Sequence, residues 1–411
     1  MKAGSLFIFY FVLQTCISTI PFDLKNGVKY LGVNDHYEHY KGTLEGPNPV
    51  PNGAAYNSYI IIDEKIMIID GIHEFYHDQW IKNLKAALGD RKPDYLLIQH
   101  MEPDHSGNII KLFNLFPNIK IISSYKSFIM MKNFFENDFI NNRIIIKEGD
   151  KINLGKHILH FIEAPMVHWP EVIMTYDEYS RTLFSCDAFG KFGANDINEP
   201  WEDEARRFYY GILSKYDKQV QNLLNKIKNF EIKNIYPGHG PILTQNINHY
   251  ISLYDKWSKF IPEEDGVVIV YSSIYGHTKI AIDILAEKLK SLNVKYVIHN
   301  ISQSHWTKII SDVFKYNSLI LASITIKDDI FAPMRQFLEI LVLFNFQKRN
   351  VGLIENGSWN PKSNEIMKSI LSDCKSLKFL KNNVRLNVLL DEKSNDEIKN
   401  LAEEIANIEF N

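Results

Sequence analysis

Short apolar runs that stop at polar side chains recur along the chain. The run 95–98 is continuous and apolar, whereas the run 157–162 alternates between apolar and polar residues. Alternation with a period of two predicts a strand with one buried face, and a continuous apolar run predicts a strand covered on both faces. A strand that ends in this way delivers its side chains to the rim of a sheet, so the polar residues that follow are candidates for a site.

The densest polar group is the hexapeptide 100–105, His-Met-Glu-Pro-Asp-His, which holds four potential metal ligands. Alternate residues of an extended chain point the same way, so His100, Glu102 and Asp104 are predicted to face one pocket. Pro103 stiffens the turn and lets His105 approach from the other side. Two imidazoles and two carboxylates exceed the needs of one tetrahedral metal, so the spacing suggests two metals in a shared site. A solvated polar loop is the alternative interpretation.

Three more ligand-type residues follow predicted strands downstream and repeat the arrangement of strand, ligand and loop. They are His168, Asp187 and His239. A structural role is the alternative for each of them taken alone, but together they extend the predicted metal site. His36 and Tyr37 are further candidates to approach this pocket from an early loop.

The pattern changes near residue 260, where the polar, proline-containing segment 259–265 is predicted to be a linker. Continuous apolar runs then occur at 266–271, 319–322 and 351–354, which is typical of buried strands in a parallel sheet. The first run is followed by a loop rich in hydroxyl groups and then by apolar residues at helical spacing. A strand, such a loop and a helix form a phosphate cradle, and the absence of a lysine from the loop suits a monophosphate. A plain strand-to-helix connection is the alternative.

Ligands of doubly wound sheets bind at the carboxyl ends of the strands, so three loops are candidates for this second site. Their residues are Ser272, Ser273, Ile274, Tyr275, Gly276, His277 and Thr278 in the first loop, Ser323, Ile324 and Thr325 in the second, and Asn356, Gly357, Ser358 and Trp359 in the third. A partly buried core position is the alternative for Trp359.

Length and composition restrict the class of protein. A chain of 411 residues with 45% hydrophobic residues is long and apolar enough for two or more domains. The net charge of −3, without a long basic patch, argues against a nucleic-acid partner. The cysteines Cys16, Cys186 and Cys374 form no Cys-x-x-Cys pair, which argues against a zinc ribbon, a disulfide framework and an attached rubredoxin. Cys186 is predicted to be a small buried residue.

The apolar stretch 5–20, preceded by Lys2, is similar to a short secretory signal. It is too short and too interrupted for a membrane span, so no membrane partner is expected. A glycan at the acceptor sequence 356–358 would obstruct the predicted phosphate-ligand site in an export pathway that glycosylates. We therefore expect a cytoplasmic protein with an apolar extension over residues 1–20, while a secretory or organellar signal is the alternative.

The seven ligand-type residues resemble, in type and order, the diiron motif of the flavodiiron proteins. Hydrolases of the metallo-β-lactamase superfamily carry His-x-His-x-Asp-His at the first motif, and here Glu102 stands where their second His would be. The resemblance implies two non-haem irons. His100, Glu102 and His168 would hold one iron, Asp104, His105 and His239 would hold the other, and Asp187 would bridge them.

The same resemblance implies an α/β architecture with two domains. A metallo-β-lactamase-like αββα sandwich would occupy residues 21–258, and a flavodoxin-like doubly wound parallel sheet that binds FMN would occupy residues 266–411. The first of the three loops would take the FMN phosphate, and the other two would flank the isoalloxazine ring. The sequence departs from the family at Ile324, at 327–329 and at His277, which affects the details of the flavin contacts.

The function implied by the resemblance is electron transfer from FMN to a diiron centre that reduces dioxygen to water, nitric oxide to nitrous oxide, or both. A separate electron donor (rubredoxin, a flavoprotein reductase or a deazaflavin) is expected, together with a homodimer or a dimer of dimers. The alternative is a dinuclear zinc hydrolase fused to a redox-inert flavodoxin-like module. A third possibility is an electron-transfer protein with a vestigial metal site.

Overall fold

The computed structural model describes residues 22–36 and 48–409. The chain divides into two compact units between Asp255 and Lys256. The predicted extension 1–20 and the candidate Tyr37 lie outside the described residues. Within the part of the chain that is described, no helix has the length and apolar character needed to cross a bilayer.

The first unit is built on two sheets and a short ribbon. Its strands are β1 (Phe22–Lys25), β2 (Val28–Tyr30), β3 (Val33–Asp35), β4 (Ala54–Tyr56), β5 (Tyr59–Ile62), β6 (Ile66–Ile69), β7 (Tyr95–Leu97), β8 (Lys120–Ser123), β9 (Arg143–Ile145), β10 (Lys151–Asn153), β11 (Ile158–Glu163), β12 (Ile173–Asp177), β13 (Thr182–Cys186) and β14 (Asn234–Pro237). One sheet has the order β1-β2-β5-β6-β7-β8-β9, the other has the order β10-β11-β12-β13-β14, and β3 pairs with β4.

The helices of the first unit lie between its strands in the sequence or after the last of them. They are α1 (His77–Leu88), α2 (Pro103–Ser106), α3 (Ile109–Leu115), α4 (Tyr125–Phe135), α5 (Trp201–Phe208), α6 (Asp217–Ile227) and α7 (Ile247–Ser258), with a π-helix at Tyr209–Leu213 and 3-10 turns at Glu74–Tyr76 and Ser214–Tyr216. Helix α7 extends to the boundary and ends in the second unit.

Two apolar layers hold the first unit together. Tyr59, Met67 and Leu97 of one sheet pack against residues such as Phe161 and Phe184 of the other, so the two sheets lie face to face. The opposite face of the larger sheet packs against buried side chains of helices α1 and α4. Alternate residues of each strand therefore serve different layers, as the period of two predicts. The predicted αββα sandwich is confirmed.

The second unit contains a parallel sheet. Its strands are β15 (Glu264–Tyr271), β16 (Tyr296–Asn300), β17 (Tyr316–Ile326), β18 (Asp329–Ile330), β19 (Asn350–Asn356), β20 (Lys378–Phe379) and β21 (Val384–Leu386). Its helices are α8 (His277–Ser291), α9 (Trp306–Lys315), α10 (Ala332–Leu343), α11 (Ser363–Ile370) and α12 (Glu392–Ala406), with a 3-10 turn at Leu371–Asp373.

The strand order β16-β15-β17-β19-β20 is the 2-1-3-4-5 order of flavodoxin-like sheets. The connections from β15 and β17 leave on either side of the point where this order reverses, which is where such sheets bind their ligand. The predicted doubly wound parallel sheet is confirmed. Strand β15 begins at Glu264, which pairs with Tyr316. Residues 264 and 265 therefore belong to this strand, and the predicted linker 259–265 was too long at its end.

Candidate metal centre and flavin site

Strand ends of both sheets in the first unit converge on one group of side chains. His100 follows β7, while His168, Asp187 and His239 follow β11, β13 and β14. Glu102 caps helix α2, whose single turn contains Asp104 and His105. The structure brings all of the predicted metal-site residues together, in two groups with ligand atoms within 4.8 Å of one another.

The first group consists of His100, Glu102 and His168, with one oxygen of Asp187. Glu102 Oε2 lies 3.2 Å from His100 Nε2 and 3.0 Å from His168 Nε2. Asp187 Oδ2 lies 3.4 Å and 2.9 Å from the same two nitrogens. Two imidazole nitrogens and two carboxylate oxygens therefore surround one point.

The second group uses the other oxygen of Asp187. Asp187 Oδ1 lies 2.9 Å from His105 Nε2 and 3.3 Å from His239 Nε2. Asp104 Oδ2 is 3.3 Å from His239 Nε2, and Asp104 Oδ1 is 3.7 Å from His105 Nε2. Asp187 thus presents one oxygen to each group, which is the position of a bridging ligand.

Asp104 lies with His105 and His239, the group to which the resemblance assigned it. The chain is not extended there, as the alternation argument assumed, because it turns into helix α2 at Pro103. Proline is favoured in the first turn of a helix because it has no N–H to leave unsatisfied. The helical turn rotates Asp104 away from the first group and towards His105 and His239.

These side chains fit a pair of metal ions. Bonds of about 2.0–2.2 Å to a shared metal place neighbouring ligand atoms about 3–3.5 Å apart, and the separations of 2.9–3.7 Å in the two groups bracket that range. His105 Nε2 and Asp104 Oδ1 are buried without a hydrogen bond, although a possible partner lies close to each. Buried polar atoms of this kind are rare unless something else, such as a cation, satisfies them.

The charges of the metal-site side chains also favour bound cations. Burial alone would raise the pKa of Asp187, but the His105 and His100 imidazoles hold that pKa well below its usual range. Burial opposes the charged form of His168, yet the Asp187 and Glu102 carboxylates raise its pKa to about 9. Protons on the imidazoles therefore balance the ionised carboxylates, and bound cations would displace these protons and take their place beside the carboxylates.

Several supporting residues are absent from the sequence-based prediction. His100 Nδ1 lies 2.8 Å from Glu171 Oε1, and His239 Nδ1 lies 2.8 Å from the carbonyl oxygen of Ala55. Asp70, which accepts hydrogen bonds from the backbone and side chain of Gln99, lies beside His105. Glu171 could have been found from the sequence, because it is an acidic residue in the same short loop as His168. The Ala55 carbonyl could not, since every residue has a backbone carbonyl group.

Two other candidates have different roles. His36 pairs with Asp196 at 2.8 Å and belongs to neither ligand group. Cys186 is buried beside Asp187, as predicted for a small core residue. Burial and the neighbouring carboxylates raise the pKa of the Cys186 thiol well above its usual range, so the thiol is neutral.

A small cavity of about 120 Å³ opens onto the metal-site side chains. Glu102, Asp104, Asp187 and His239 line its polar end. The remaining wall is mostly apolar, with Asn48 and Lys191 as its polar members. It comes from residues 48–56, which include strand β4, from residues 191–192 and from helical residues, among them Val50, Tyr56, Phe192, Phe208 and Ile212. The cavity therefore offers little space and few hydrogen-bonding groups away from the ligands.

The second unit has a larger cavity, of about 280 Å³, at the reversal point of its sheet. Ten of the residues predicted to bind a cofactor line it: Ser273, Ile274, Tyr275, His277, Thr278, Ile324, Thr325, Asn356, Gly357 and Ser358. Ile326 and Val388 complete the wall and were missed. Val388 lies beyond β21, and nothing in the sequence nearby marks it as a ligand-binding residue.

The other predicted residues do not line this cavity. Ser272 and Ser323 are fully buried behind it, with their hydroxyl groups 3.4 Å apart. Gly276 caps α8 in a left-handed conformation, with φ of 91°, that favours glycine. Trp359 is 80% exposed, so the alternative of a partly buried core residue is wrong, and its contact with a flavin stays a prediction.

The first loop has the features of an anion cradle. The N-cap residue of helix α8 is Gly276, which has no side chain to bond the first N–H groups, and His277 and Thr278 of the first turn line the cavity. Ser273 Oγ accepts a hydrogen bond from Lys279 N at 3.4 Å. Free N–H groups, hydroxyl groups and the helix dipole together suit a phosphate.

Gly238 provides a test of how tightly the metal site is packed. A methyl group there would lie 2.6 Å from His105 Cε1 and 3.2 Å from the carbonyl group of Cys186. We expect Gly238→Ala to displace the His105 ring, to lower the free energy of unfolding by about 1–3 kcal/mol and to weaken metal binding by the second group. Thermal unfolding and metal titration measure the two effects.

Gly149→Ala is the matched control. Nothing lies within 4 Å of its added methyl group, but its φ of 80° makes alanine unfavourable by about 1–2 kcal/mol. It is expected to lose similar stability and to keep full metal affinity. Equal metal affinity in the two variants would contradict the close packing of Gly238 on His105.

Comparisons with known proteins agree with this architecture. Residues 54–240 match the family described as ODP family beta lactamase. An uncharacterized protein of Methanocaldococcus jannaschii is 30% identical over 77% of this chain and 80% of its own length. A nitric oxide reductase of Moorella thermoacetica is 28% identical over 86% of this chain and 90% of its own.

Solved structures share the fold over nearly the whole chain. The rubredoxin oxygen:oxidoreductase of Desulfovibrio gigas superposes with a TM-score of 0.85 at 23% identity, covering 94% of this chain and 98% of that one. The flavodiiron protein of Giardia intestinalis gives a TM-score of 0.84 at 20% identity over 94% and 96%. With its sequence likeness to these relatives and the two units they share, the chain belongs to the flavodiiron proteins.

Proposed function

We propose that this protein is an oxidoreductase in which FMN, bound by the second unit, passes electrons to two irons held by the first. The irons would reduce dioxygen to water, nitric oxide to nitrous oxide, or both. The observation that carries the proposal is the position of Asp187, with one carboxylate oxygen facing each group of ligands. A carboxylate at Glu102, in place of an imidazole, adds a hard, negatively charged ligand that suits iron in changing oxidation states.

The cavity beside the metal site supports a small substrate. Its volume of about 120 Å³ and its apolar wall suit an uncharged diatomic molecule better than a polar ester or amide. The names of a relative and of a structural neighbour, nitric oxide reductase and oxygen:oxidoreductase, fit both candidate substrates. The zinc hydrolase alternative explains neither Glu102 nor the flavin cavity.

The residues have distinct roles in this proposal. Bound iron and FMN supply the electron transfer, with the flavin able to carry electrons in pairs. The imidazoles of His100, His168, His105 and His239 present Nε2 to the metals, and the carboxylates balance their charge. Phe192 and Phe208 exclude water from the cavity. The Ala55 carbonyl accepts from His239 Nδ1 and so keeps the Nε2 lone pair free for the metal.

Partners are expected at the flavin cavity. Tyr275, at its edge, is 87% exposed, and Ile274, Trp359 and Leu389 are exposed as well. Exposed aromatic and aliphatic side chains in one region are typical of protein contact surfaces. We propose that a second copy of the chain covers them, in a homodimer or a dimer of dimers, and that a separate donor (rubredoxin, a flavoprotein reductase or a deazaflavin) supplies electrons. A reducing cytoplasm suits such an enzyme and its free Cys186 and Cys374.

Anaerobic reduction followed by separate pulses of dioxygen and nitric oxide tests the proposal. The reduced protein, with iron and FMN bound, is expected to consume at least one of the gases and to re-oxidise its flavin in step. Comparison of the two rates identifies the preferred substrate. Flavin that stays reduced after both pulses, in protein that contains iron, would contradict the proposed function.

A further inference from the structure

Glu171 is buried against the metal site without belonging to either ligand group. Its side chain has no exposed surface, and Oε1 accepts from His100 Nδ1 at 2.8 Å and from the backbone N–H of Met101 at 2.9 Å. The carbonyl oxygen of Glu171 also accepts from Ser124 Oγ at 3.1 Å. Two hydrogen bonds to Oε1 therefore fix the carboxylate against His100, and the bond from Ser124 fixes the backbone of Glu171.

A buried carboxylate is costly unless it is matched by charge or hydrogen bonds, and Glu171 Oε2 has no hydrogen bond. The protein thus places a negative charge next to Nδ1 of His100, on the side of the ring away from the metal site, although a neutral acceptor would satisfy the Nδ1–H group. His239 shows that alternative, because its Nδ1 faces only the backbone carbonyl of Ala55. In the second group the buried Asp70 lies beside His105, but His105 Nδ1 makes no hydrogen bond. Among the described residues, Glu171 is therefore the carboxylate that accepts directly from the Nδ1 of a ligand imidazole.

We propose that Glu171 is a positioning residue that fixes the tautomer of His100 and selectively strengthens metal binding by the first group. With the proton held on Nδ1, the Nε2 lone pair points towards Glu102, His168 and Asp187. The adjacent negative charge makes the imidazole a stronger electron donor to a cation at Nε2. The first metal is then bound more tightly, and its oxidised form is favoured more, than an uncharged acceptor behind His100 would allow.

This inference rests on the proposed dinuclear centre, and cobalt(II) titration of the metal-free full-length protein tests it. The variant Glu171→Gln keeps a side chain of the same length that can accept from Nδ1–H, and it removes only the charge. The expected result is a fall of about 10- to 100-fold in affinity at one of two cobalt sites, with the other unchanged. The matched control is Glu178→Gln, which removes the carboxylate that pairs with His160 at 2.9 Å outside the metal site.

Proton NMR of the cobalt-loaded protein in water identifies the residue. Paramagnetically shifted imidazole N–H signals are expected from His100 and His239 in the wild-type protein. In Glu171→Gln the His100 signal should move and exchange faster with solvent, while the His239 signal stays. If the variant does not fold, a wild-type protein without a slowly exchanging Nδ1–H signal from His100 would overturn the inference.

The outcomes separate the inference from the function on which it rests. Two cobalt sites of unchanged affinity in Glu171→Gln, or an equal loss at both sites, would overturn the role of Glu171 and leave the dinuclear centre intact. A wild-type chain that binds fewer than two cobalt ions would instead contradict the dinuclear centre itself. Selective weakening of one site supports both.

Discussion

Replacing Asp187 with alanine is expected to abolish binding of both metals and to leave FMN in place. Asp187 is the residue whose two oxygens face both ligand groups, at 2.9 Å from His168 Nε2 and 2.9 Å from His105 Nε2. Its loss removes a ligand from each metal and the charge that holds the imidazoles together. Loss of a residue that only supports a ligand costs 10–100-fold in affinity, so loss of this shared ligand should cost more than about 100-fold.

Iron and flavin contents of the purified Asp187→Ala protein, and its rate of gas reduction, measure the effect. Asp196→Ala is the control, since this aspartate lies in the same loop region but pairs with His36 instead of a metal ligand. The control is expected to keep iron, FMN and activity. An Asp187→Ala protein with full iron content would contradict the bridging position.

The converse effect is expected from Ser273→Asp, which should weaken FMN binding about 100-fold and keep the metals. The new carboxylate would lie at the amino end of helix α8, where Ser273 Oγ already accepts from Lys279 N. A negative charge is favourable at that end of a helix, so the variant should fold. It would also repel the phosphate: two charges about 5 Å apart at an effective dielectric constant of about 20 lose roughly 3 kcal/mol, or about 100-fold in affinity.

Flavin fluorescence titration of the FMN-free protein measures this loss. Ser291→Asp adds the same charge at the other end of α8, where Ser291 ends the helix, and is expected to bind FMN normally. Donor-dependent reduction of the gas should disappear only in Ser273→Asp. Unchanged FMN affinity in that variant would place the phosphate away from the first loop.

The sequence was most informative where strand periodicity and ligand chemistry coincide. The apolar runs at 95–98 and 319–322 are strands in the structure, and the polar residues that follow them lie at sheet edges. His100 and Glu102 could be assigned to the metal site because both are common metal ligands and both follow a predicted strand. The αββα sandwich of the first unit was implied by the family resemblance, whereas the continuous apolar runs at 266–271, 319–322 and 351–354 predicted the parallel sheet of the second unit.

The sequence was least informative where position depends on a local turn or on a distant segment. The alternation argument assumed an extended chain through Asp104, whereas a proline-initiated helical turn begins there. Val388 lines the flavin cavity although it lies beyond β21 in the sequence. Trp359 lies in the loop that follows β19, but its exposed side chain does not line the cavity. The carbonyl of Ala55 supports His239 with a group that every residue has. Such contacts are set by the tertiary fold and carry no local signal.

Anomalous diffraction at the iron edge, from crystals of the protein as purified, would locate the metals. We expect two iron peaks about 3.5–4 Å apart, one on each side of the Asp187 carboxylate. His100, Glu102 and His168 would surround one peak, and Asp104, His105 and His239 would surround the other. A single peak, zinc in place of iron, or iron bound away from Asp187 would rule out a diiron centre bridged by Asp187.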